Sequence, residues 1–254
     1  MLKHRVIPAL LLRNGGLVKT QRFTDPKYVG DPINAIRIFN EKEVDELMVL
    51  DITASKEKRE PDYALIDQFA GECFMPLAYG GGVRTVGQAQ RIFASGVEKI
   101  CIQTAALDNL QLVRELADRF GSQSIMVSLD IKKNWLGRAQ IFAAGQGKTL
   151  STDWLQLLSD LVSAGAGEVL LNAVDKDGTL SGPDLHLISQ VSKQVDVPLI
   201  AVGGISSLAD IKSAVEAGAS AVAAGAFFVY HGPHRAVLIT YPKYHELEQL
   251  FAKN

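Results

Sequence analysis

Four aspartates that follow short apolar segments could carry acid–base chemistry. Asp51 ends the second such segment, Asp130 ends the fifth, and Asp175 and Asp177 follow the sixth. Carboxylates at the carboxyl ends of barrel strands point into the mouth of the barrel, where they can act as general acids or bases. For Asp51 and Asp175 a capping role is an equally good interpretation, because aspartate is common in turns and caps. For Asp130 and Asp177 we predict a catalytic role.

Glycine clusters follow the third and seventh apolar segments and indicate phosphate binding. Gly81 and Gly82 belong to the first cluster, and Gly203 and Gly204 form the second. Glycine lets backbone N–H groups close on a phosphate, and the N-terminus of the next helix adds a favourable dipole. The alternative is that these glycines only make tight turns. Two such loops predict a substrate with a phosphate at each end.

Three further residues are candidate phosphate ligands at the same face. Thr104 follows the fourth segment and Gly225 follows the eighth. The loops after strands seven and eight are the usual phosphate site of a (βα)8 barrel. Lys19, in the stretch after the first segment, could also bind phosphate, although a single loop lysine is more often solvated.

Four charged residues lie at or next to the starts of apolar segments, which places them at the opposite face. They are Arg5, Glu46, Lys99 and Glu168. Buried charge is costly unless it is paired, so two acids and two bases there predict a paired ring on the barrel axis. Such a ring could be a salt-bridge plug that stabilises the fold, or a gate to a channel through the barrel.

The segments that would position these residues alternate between two patterns. Eight are short, continuous and rich in Val, Ile, Leu or Ala, as in strands buried on both faces of a parallel sheet. The predicted strands are Arg5–Leu12, Glu46–Ile52, Pro76–Tyr79, Glu98–Gln103, Ser124–Ile131, Glu168–Ala173, Pro198–Val202 and Ser220–Ala224. The predicted helices are Pro32–Glu43, Tyr63–Glu72, Val86–Ala94, Leu110–Arg119, Asp153–Ala164, Leu185–Gln194, Leu208–Ala217 and Lys243–Phe251.

Eight strands, each followed by a helix, predict an α/β fold: one (βα)8 TIM barrel domain over residues 1–254. A doubly wound open sheet is the alternative, but no GxGxxG follows the first strand. An internal repeat supports the barrel. A spacing of 122 residues separates Glu46 from Glu168, Gly82 from Gly204, and Gly96 from Gly218. The chain therefore reads as two repeated half-barrels of four βα units each.

Two stretches interrupt this pattern. Arg13–Gly30 and Lys132–Ser151 are the longest segments without regular periodicity, and we expect irregular loops there. Long loops after barrel strands lie at the catalytic face and often act as lids.

Composition argues against several classes of protein. The chain has 254 residues, 47% of them hydrophobic, and a net charge of -2, which argues against a nucleic-acid partner held by long-range attraction. Cys73 and Cys101 belong to no CxxC motif or Cys/His cluster, so we expect no metal, no cofactor and a reducing, cytoplasmic environment. The apolar stretch Val6–Leu12 is too short to span a membrane, so no membrane association is expected.

The motifs together resemble one family, the cyclase subunit of imidazole glycerol phosphate synthase from histidine biosynthesis. The resemblance covers nearly the whole chain. Its segments are GDP at Gly30–Pro32, DEL and LDITAS within Asp45–Ser55, GGGVR at Gly80–Arg84, TAA at Thr104–Ala106, RFGSQ at Arg119–Gln123, GAGEVLL at Gly165–Leu171 and DKDGT at Asp175–Thr179.

In that family a glutaminase partner releases ammonia, which passes through the barrel to a bisphosphorylated substrate. The resemblance therefore implies a heterodimer with a glutaminase, with Gln123 near the interface. It implies that Asp130 and Asp177 belong to the active site, and that Lys19 and the two glycine loops bind the phosphates. It also implies an ammonia gate made of Arg5, Glu46, Lys99 and Glu168.

The sequence departs from the family's pattern at the end of the first strand. Leu11 stands where the family has a catalytic Asp, and leucine cannot transfer a proton. Gln103 replaces a family Asn, the eighth strand ends in Ala224–Ala226, and the tail Phe227–Pro242 is unlike that of the histidine enzymes. The usual acid–base pair with Asp130 is therefore broken.

These departures are similar to a divergent branch of the family that is linked to surface-polysaccharide biosynthesis. The resemblance implies that the barrel and its glutaminase supply ammonia to a separate amidotransferase, which converts an acetamido group on a nucleotide-linked sugar to an acetamidino group. Two alternatives stay open. The chain could be a true cyclase subunit with rearranged acid–base residues, or a non-enzymatic scaffold that activates the glutaminase.

Overall fold

The computed structural model describes residues 4–232 and 234–252, and these form a closed barrel of parallel strands. Every neighbouring pair is parallel, and the last strand pairs with the first. The barrel strands are β1 (Arg5–Arg13), β2 (Leu47–Asp51), β3 (Leu77–Gly80), β4 (Lys99–Ile102), β5 (Ile125–Lys133), β6 (Glu168–Ala173), β7 (Leu199–Val202) and β8 (Ala221–Ala224). The predicted (βα)8 TIM barrel is confirmed.

The helices that follow the strands surround the barrel. They are α1 (Pro32–Glu41), α2 (Tyr63–Glu72), α3 (Val86–Ala94), α4 (Leu110–Phe120), α5 (Trp154–Ser163), α6 (Leu185–Ser192), α7 (Leu208–Glu216) and α8 (Tyr244–Phe251). Short helices at Thr104–Asp108 and Ala226–Val229 follow β4 and β8. Most helices begin at a polar capping residue; for example, the Asp31 carboxylate accepts a hydrogen bond of 2.9 Å from the backbone N–H of Asn34. No helix in the described residues is long and apolar enough to cross a membrane.

The apolar core has two layers because each barrel strand is covered on both faces. The larger layer lies between strands and helices and includes Phe39, Ile92 and Val169. The smaller layer fills the interior of the barrel. Its buried members are Ile7, Ala9, Met48, Ala78, Cys101, Met126, Leu170, Ile200, Ala221 and Ala223. The interior is thus a packed apolar column that separates the two ends of the barrel.

The expectation of an irregular loop at Arg13–Gly30 was wrong, because this stretch forms a β-hairpin. The strand Gly16–Gln21 pairs antiparallel with the end of β1 and with Thr24–Gly30. Asn14 and Gly15 make the first turn with φ values of 51° and 76°. An Asn-Gly pair favours the two-residue turn that joins antiparallel strands, so the signal was present in the sequence. We name residues 13–30 the first hairpin.

The expectation for Lys132–Ser151 was wrong in the same way. The strand Ala139–Ala143 pairs antiparallel with the extended end of β5, and Lys148–Leu150 pairs with Ala139–Ala143. The turn at Asn134–Gly137 is held by the Asn134 side chain, which accepts backbone hydrogen bonds from Leu136 and Arg138. We name residues 132–151 the second hairpin. Phe23 and Phe142 contact each other edge to face, with ring centroids 5.8 Å apart, and so join the two hairpins.

The internal repeat is visible in backbone geometry. Gly82 and Gly204 have φ values of 74° and 90°, and Gly96 and Gly218 have φ values of 102° and 111°. These are conformations that residues with a Cβ rarely adopt. Positions 122 residues apart therefore have the same backbone conformation and follow equivalent strands or helices.

Candidate functional site

A cavity of about 190 Å³ opens at the carboxyl ends of the strands. It is lined by residues from all eight strand ends and from the first hairpin. Most of the candidate residues at this face line the cavity, namely Leu11, Lys19, Asp51, Gly81, Gln103, Thr104, Asp130, Asp177, Gly203, Gly204 and Gly225. Gly82 follows Gly81 in the same loop, and Asp175 lies outside the lining. In the described part of the chain, no group of three or more His, Cys, Asp or Glu residues could hold a metal ion.

Asp130 is the carboxylate most changed by its surroundings. It lies near the end of β5, is 6% exposed, and accepts hydrogen bonds from the Ser128 hydroxyl at 3.2 Å and from Nε2 of Gln103. Burial raises the pKa of Asp130 to about 7, against the effect of these donors. A group with a pKa near neutrality can both give and take a proton at physiological pH.

Asp177 holds the first hairpin over the cavity. Its Oδ2 atom accepts hydrogen bonds from the Thr20 hydroxyl at 2.9 Å and from the Phe23 backbone N–H at 3.3 Å. Its backbone carbonyl accepts a further bond from the Arg22 N–H at 2.9 Å. Burial raises the pKa of this carboxyl as well. Asp177 thus lines the cavity and also fixes the hairpin that covers it.

Lys19 lies in the first hairpin but is not solvated, contrary to the alternative considered for a loop lysine. It is 5% exposed, and its Nζ atom donates a hydrogen bond of 2.6 Å to the Ala9 carbonyl. Burial lowers the pKa of Lys19 to about 8, although the charge of Asp177 opposes this. A Cβ at Gly225 would come within 2.6 Å of Nζ, so the glycine makes room for the ammonium group.

Asp51 and Asp175 have structural partners. The Asp51 carboxylate accepts backbone and hydroxyl bonds from Thr53 and a backbone bond from Ala54, and it pairs with Arg59 at 3.3 Å. Asp175 accepts a 2.7 Å bond from the backbone N–H of Lys133. Each carboxylate therefore holds a loop in place, as the capping interpretation described.

The cavity lining also contains apolar side chains, among them Leu11, Leu50 and Val202. Asn172, which the sequence did not single out, lines the cavity as well, and its backbone lies in register with Asp130 on the neighbouring strand. Its position at the end of a predicted strand was the available signal. The cavity lining thus combines carboxylate and amide groups with aliphatic side chains.

The glycine loops need glycine for two reasons. Gly81 and Gly203 have φ values of 126° and 106°, which residues with a Cβ rarely adopt. A Cβ at Gly81 would also lie 2.6 Å from the Asp51 carbonyl oxygen, and one at Gly203 would lie 2.8 Å from that of Ala173. Both loops line the cavity mouth, so they are placed where a phosphate would need them.

The four charged residues at the other end of the barrel form one connected network, which we name the charged ring. Arg5 donates one hydrogen bond to Glu46 and another, of 2.7 Å, to Glu168. Lys99 lies 3.1 Å from Glu46 and 3.0 Å from Glu168, so each cation bridges both acids. Although burial opposes the charge on Arg5, the two carboxylates raise its pKa.

Gln123 is exposed beside the charged ring. It lines a shallow depression together with Lys99 and Glu168. The two ends of the barrel are thus chemically distinct. One end carries the covered cavity, and the other carries the charged ring under an open depression.

Comparison with known proteins agrees with this arrangement. Residues 5–234 match the family described as histidine biosynthesis protein. The chain is 52% identical to the Pseudomonas aeruginosa protein named "Putative imidazole glycerol phosphate synthase subunit hisF2", covering 98% of this chain and 99% of that one. It is 39% identical to the imidazole glycerol phosphate synthase subunit HisF of Streptococcus sanguinis, covering 91% and 92%. The chain therefore belongs to the histidine biosynthesis protein family, among the HisF-type subunits of imidazole glycerol phosphate synthase.

Proposed function

We propose that this chain is the ammonia-receiving barrel of a cytoplasmic glutamine amidotransferase complex, and that its ammonia goes to an acceptor other than the histidine-pathway substrate. The observation that carries this proposal is Leu11. It lines the cavity at the end of β1, where the family resemblance calls for an aspartate to work with Asp130. An aliphatic side chain there supplies no proton transfer.

The entry side supports ammonia transfer from a glutaminase. The charged ring closes the barrel axis, and Gln123 lies in the depression outside it. A glutaminase bound over this depression would release ammonia directly onto the ring. Beyond the ring, the interior is lined by small and flexible apolar side chains such as Ala78, Ala221 and Met126, which neutral ammonia crosses at lower cost than a cation.

The cavity at the carboxyl ends of the strands supports binding of a phosphorylated ligand and transfer of ammonia to a different acceptor. The glycine loops and the buried Lys19 are suited to bind phosphate groups, so we propose that a small phosphorylated ligand still docks at the cavity mouth. On these grounds, and because the sequence resembles the divergent branch, we further propose that a separate amidotransferase uses the ammonia. Its product would be an acetamidino group on a nucleotide-linked sugar for surface polysaccharide.

A true cyclase is the second candidate, and one observation favours it. Asp130 and Asp177 line the same cavity, and burial raises the pKa of both. These two carboxylates could share the acid–base work that the family assigns to a pair including the residue at position 11.

One experiment separates the two candidates. The purified barrel is assayed for turnover of the histidine-pathway bisphosphate, with ammonium and with glutamine plus the glutaminase. We expect glutaminase binding and activation but no turnover of this substrate. Turnover at a rate typical of an enzyme would overturn the proposal and make the chain a cyclase despite Leu11.

A further inference from the structure

The second hairpin ends in an exposed apolar tip. Trp135 is 90% exposed and Leu136 is 54% exposed, and both belong to the turn between the hairpin's first two strands. Neighbouring exposed apolar side chains on a folded protein mark an interaction site more often than isolated ones do. Tryptophan is also among the residues that contribute most to binding at protein interfaces. The tip therefore has the composition of a docking site.

The base of the second hairpin is fixed to the barrel. Gln103 Oε1 accepts a 3.0 Å hydrogen bond from the Ala144 N–H, and Gln103 Nε2 donates a bond of 3.2 Å to the Phe142 carbonyl. On the other strand, the Lys133 N–H donates a 2.7 Å bond to the Asp175 carboxylate. A side chain presented on a fixed element loses less conformational entropy when it binds than one on a loose loop.

The charge of the second hairpin indicates the kind of surface that would fit it. Residues 132–151 contain four cations and no carboxylate, although the net charge of the chain is -2. The cations are Lys132, Lys133, Arg138 and Lys148. Lys133 is paired with Asp184, whereas Arg138 and Lys148 are exposed. An apolar tip on a basic element is complementary to an apolar pocket bordered by acidic residues.

The position of the tip relates this surface to the cavity. Strand β5 carries Asp130 in the cavity lining and continues outward to Lys133, while Ala144 and Gly145 bring the chain back to the lining. Because a strand advances about 3.3 Å per residue, the tip projects beyond the cavity mouth. A protein docked on the tip would therefore lie next to the opening through which ammonia would leave.

We infer that the tip of the second hairpin is the docking site for the protein that consumes the ammonia, and that this protein presents an apolar pocket bordered by acidic residues. Docking there brings the acceptor's site to the cavity mouth, so ammonia crosses little bulk water before it reacts. The inference rests on the proposed ammonia transfer and adds the place at which the separate amidotransferase binds.

Other occupants of the tip fit the observations less well. A second copy that met this chain tip to tip would bring two basic hairpins together, and like charges across an interface repel. A membrane surface is a poor match because two apolar side chains bury little area in lipid, and a single acyl chain already gives only marginal membrane binding.

The binding test uses the full chain with fluorotryptophan in place of its two tryptophans, observed by fluorine NMR. Trp135 reports on the tip, and Trp154, which is 8% exposed at the start of α5, is the internal control. The unlabelled probe is the amidotransferase that forms the acetamidino product. We expect a saturable shift of the Trp135 resonance and no change at Trp154. An absent shift at Trp135 would overturn the inference.

Variants measure the contribution of the tip by titration calorimetry with the same amidotransferase. Trp135→Ser should weaken binding about 30-fold, the usual effect of removing an aromatic residue from the centre of an interface. Arg138→Glu should weaken binding and reduce its dependence on salt concentration. The matched control is Phe74→Ser, because Phe74 is 87% exposed but precedes β3 at the opposite end of the barrel, and it should leave the affinity unchanged. Equal affinities of Trp135→Ser and the wild type would contradict the inference.

Product formation separates failure of this inference from failure of the proposed function. In the complex with the glutaminase, Trp135→Ser should lower the amount of acetamidino product formed per glutamine hydrolysed, with product formed from added ammonium as the reference. An unchanged yield would overturn the docking site and leave ammonia transfer intact. If the wild type forms no acetamidino product from glutamine, the proposed function fails and the docking site with it.

Two further outcomes would assign the tip to another occupant. A shift of Trp135 that appears when the concentration of the chain alone is raised would assign it to a second copy. A shift on addition of anionic phospholipid vesicles would assign it to a membrane. Either result would overturn the inference.

Discussion

Position 11 is the residue at which we propose that this chain departs from the acid–base chemistry of its family. Leu11 lines the cavity, and its strand lies beside β2 and β8 rather than beside Asp130 on β5, so the two side chains approach from different sides. If the missing carboxylate is what prevents cyclase turnover, Leu11→Asp should raise it by about 10²–10⁴-fold, the usual contribution of a positioned acid–base group. Ammonium-dependent turnover of the bisphosphate measures this.

The control for that variant is Leu11→Asn, which has the same size and polarity change but transfers no proton. It should show no gain. A folded Leu11→Asp protein without turnover would mean that Leu11 alone does not explain the absence of cyclase activity. Gln103 would then be the next residue to replace.

Asp130 predicts a dependence of stability on pH. Its pKa of about 7 in the folded protein lies above the ordinary value of 3.8, so the folded state binds more protons between these values. Stability from this group is therefore full at low pH and falls as pH rises towards 7, by about 1.4 kcal/mol per unit of pKa difference. Because the side chain in Asp130→Asn cannot ionise, the variant does not lose this stability. In thermal unfolding, its stability relative to the wild type should therefore increase from pH 4 to pH 8. A constant difference over that range would contradict this account.

Among the elements, the first hairpin decides whether the cavity is covered. The Thr20 hydroxyl donates to Asp177 Oδ2 at 2.9 Å, so Thr20→Val keeps the shape of the side chain and removes the bond. Losing this bond should destabilise the closed position of the first hairpin by about 1 kcal/mol, which raises the population of the open hairpin about fivefold. Limited digestion with trypsin, which cleaves after Arg22 and Lys27, measures that population. Thr24→Val removes a bond to Gln21 within the same hairpin and should change the rate much less.

The elements also show what a single sequence can and cannot predict. The barrel strands were predictable because each is covered on both faces and so reads as a continuous apolar run. The two hairpins lie outside the barrel wall and mix polar residues such as Lys19 and Thr20 with apolar ones such as Leu17. Hydrophobic periodicity therefore did not predict their strands, and only turn residues such as Asn14-Gly15 indicated them. The burial of Lys19 depends on space left at Gly225, which lies far away in the chain, and no local pattern reports such a contact.

At the scale of the whole molecule, the sequence placed charge at one end of the barrel and carboxylates at the other. The structure shows these as a closed network and a covered cavity on one axis. The pairings within the ring follow from strand starts that converge in a closed barrel, so four positions sufficed to predict them. Asn172 was missed although it lies near the end of a predicted strand, because a single polar residue there belongs to no motif.

The charged ring yields the prediction that joins stability to transfer. Glu46 is 2% exposed at its side chain and accepts hydrogen bonds from both Arg5 and Lys99. Glu46→Gln leaves these two cations with one carboxylate, and breaking a buried ion network in this way typically costs about 3–5 kcal/mol. Denaturant unfolding should show this loss. Glu72→Gln, which removes a carboxylate from the exposed pair with Arg37, should have little effect.

The same variant tests whether the ring is a gate or only a plug. A gate changes the route of ammonia from the glutaminase and leaves ammonia from solution able to reach the cavity through its mouth. In the complex, Glu46→Gln should therefore change the amount of acetamidino product formed per glutamine hydrolysed. With added ammonium as the source of ammonia, formation of the same product should stay close to that of the wild type. If the variant is destabilised but both activities keep their ratio, the ring serves stability alone, because a plug has no reason to distinguish the two sources of ammonia.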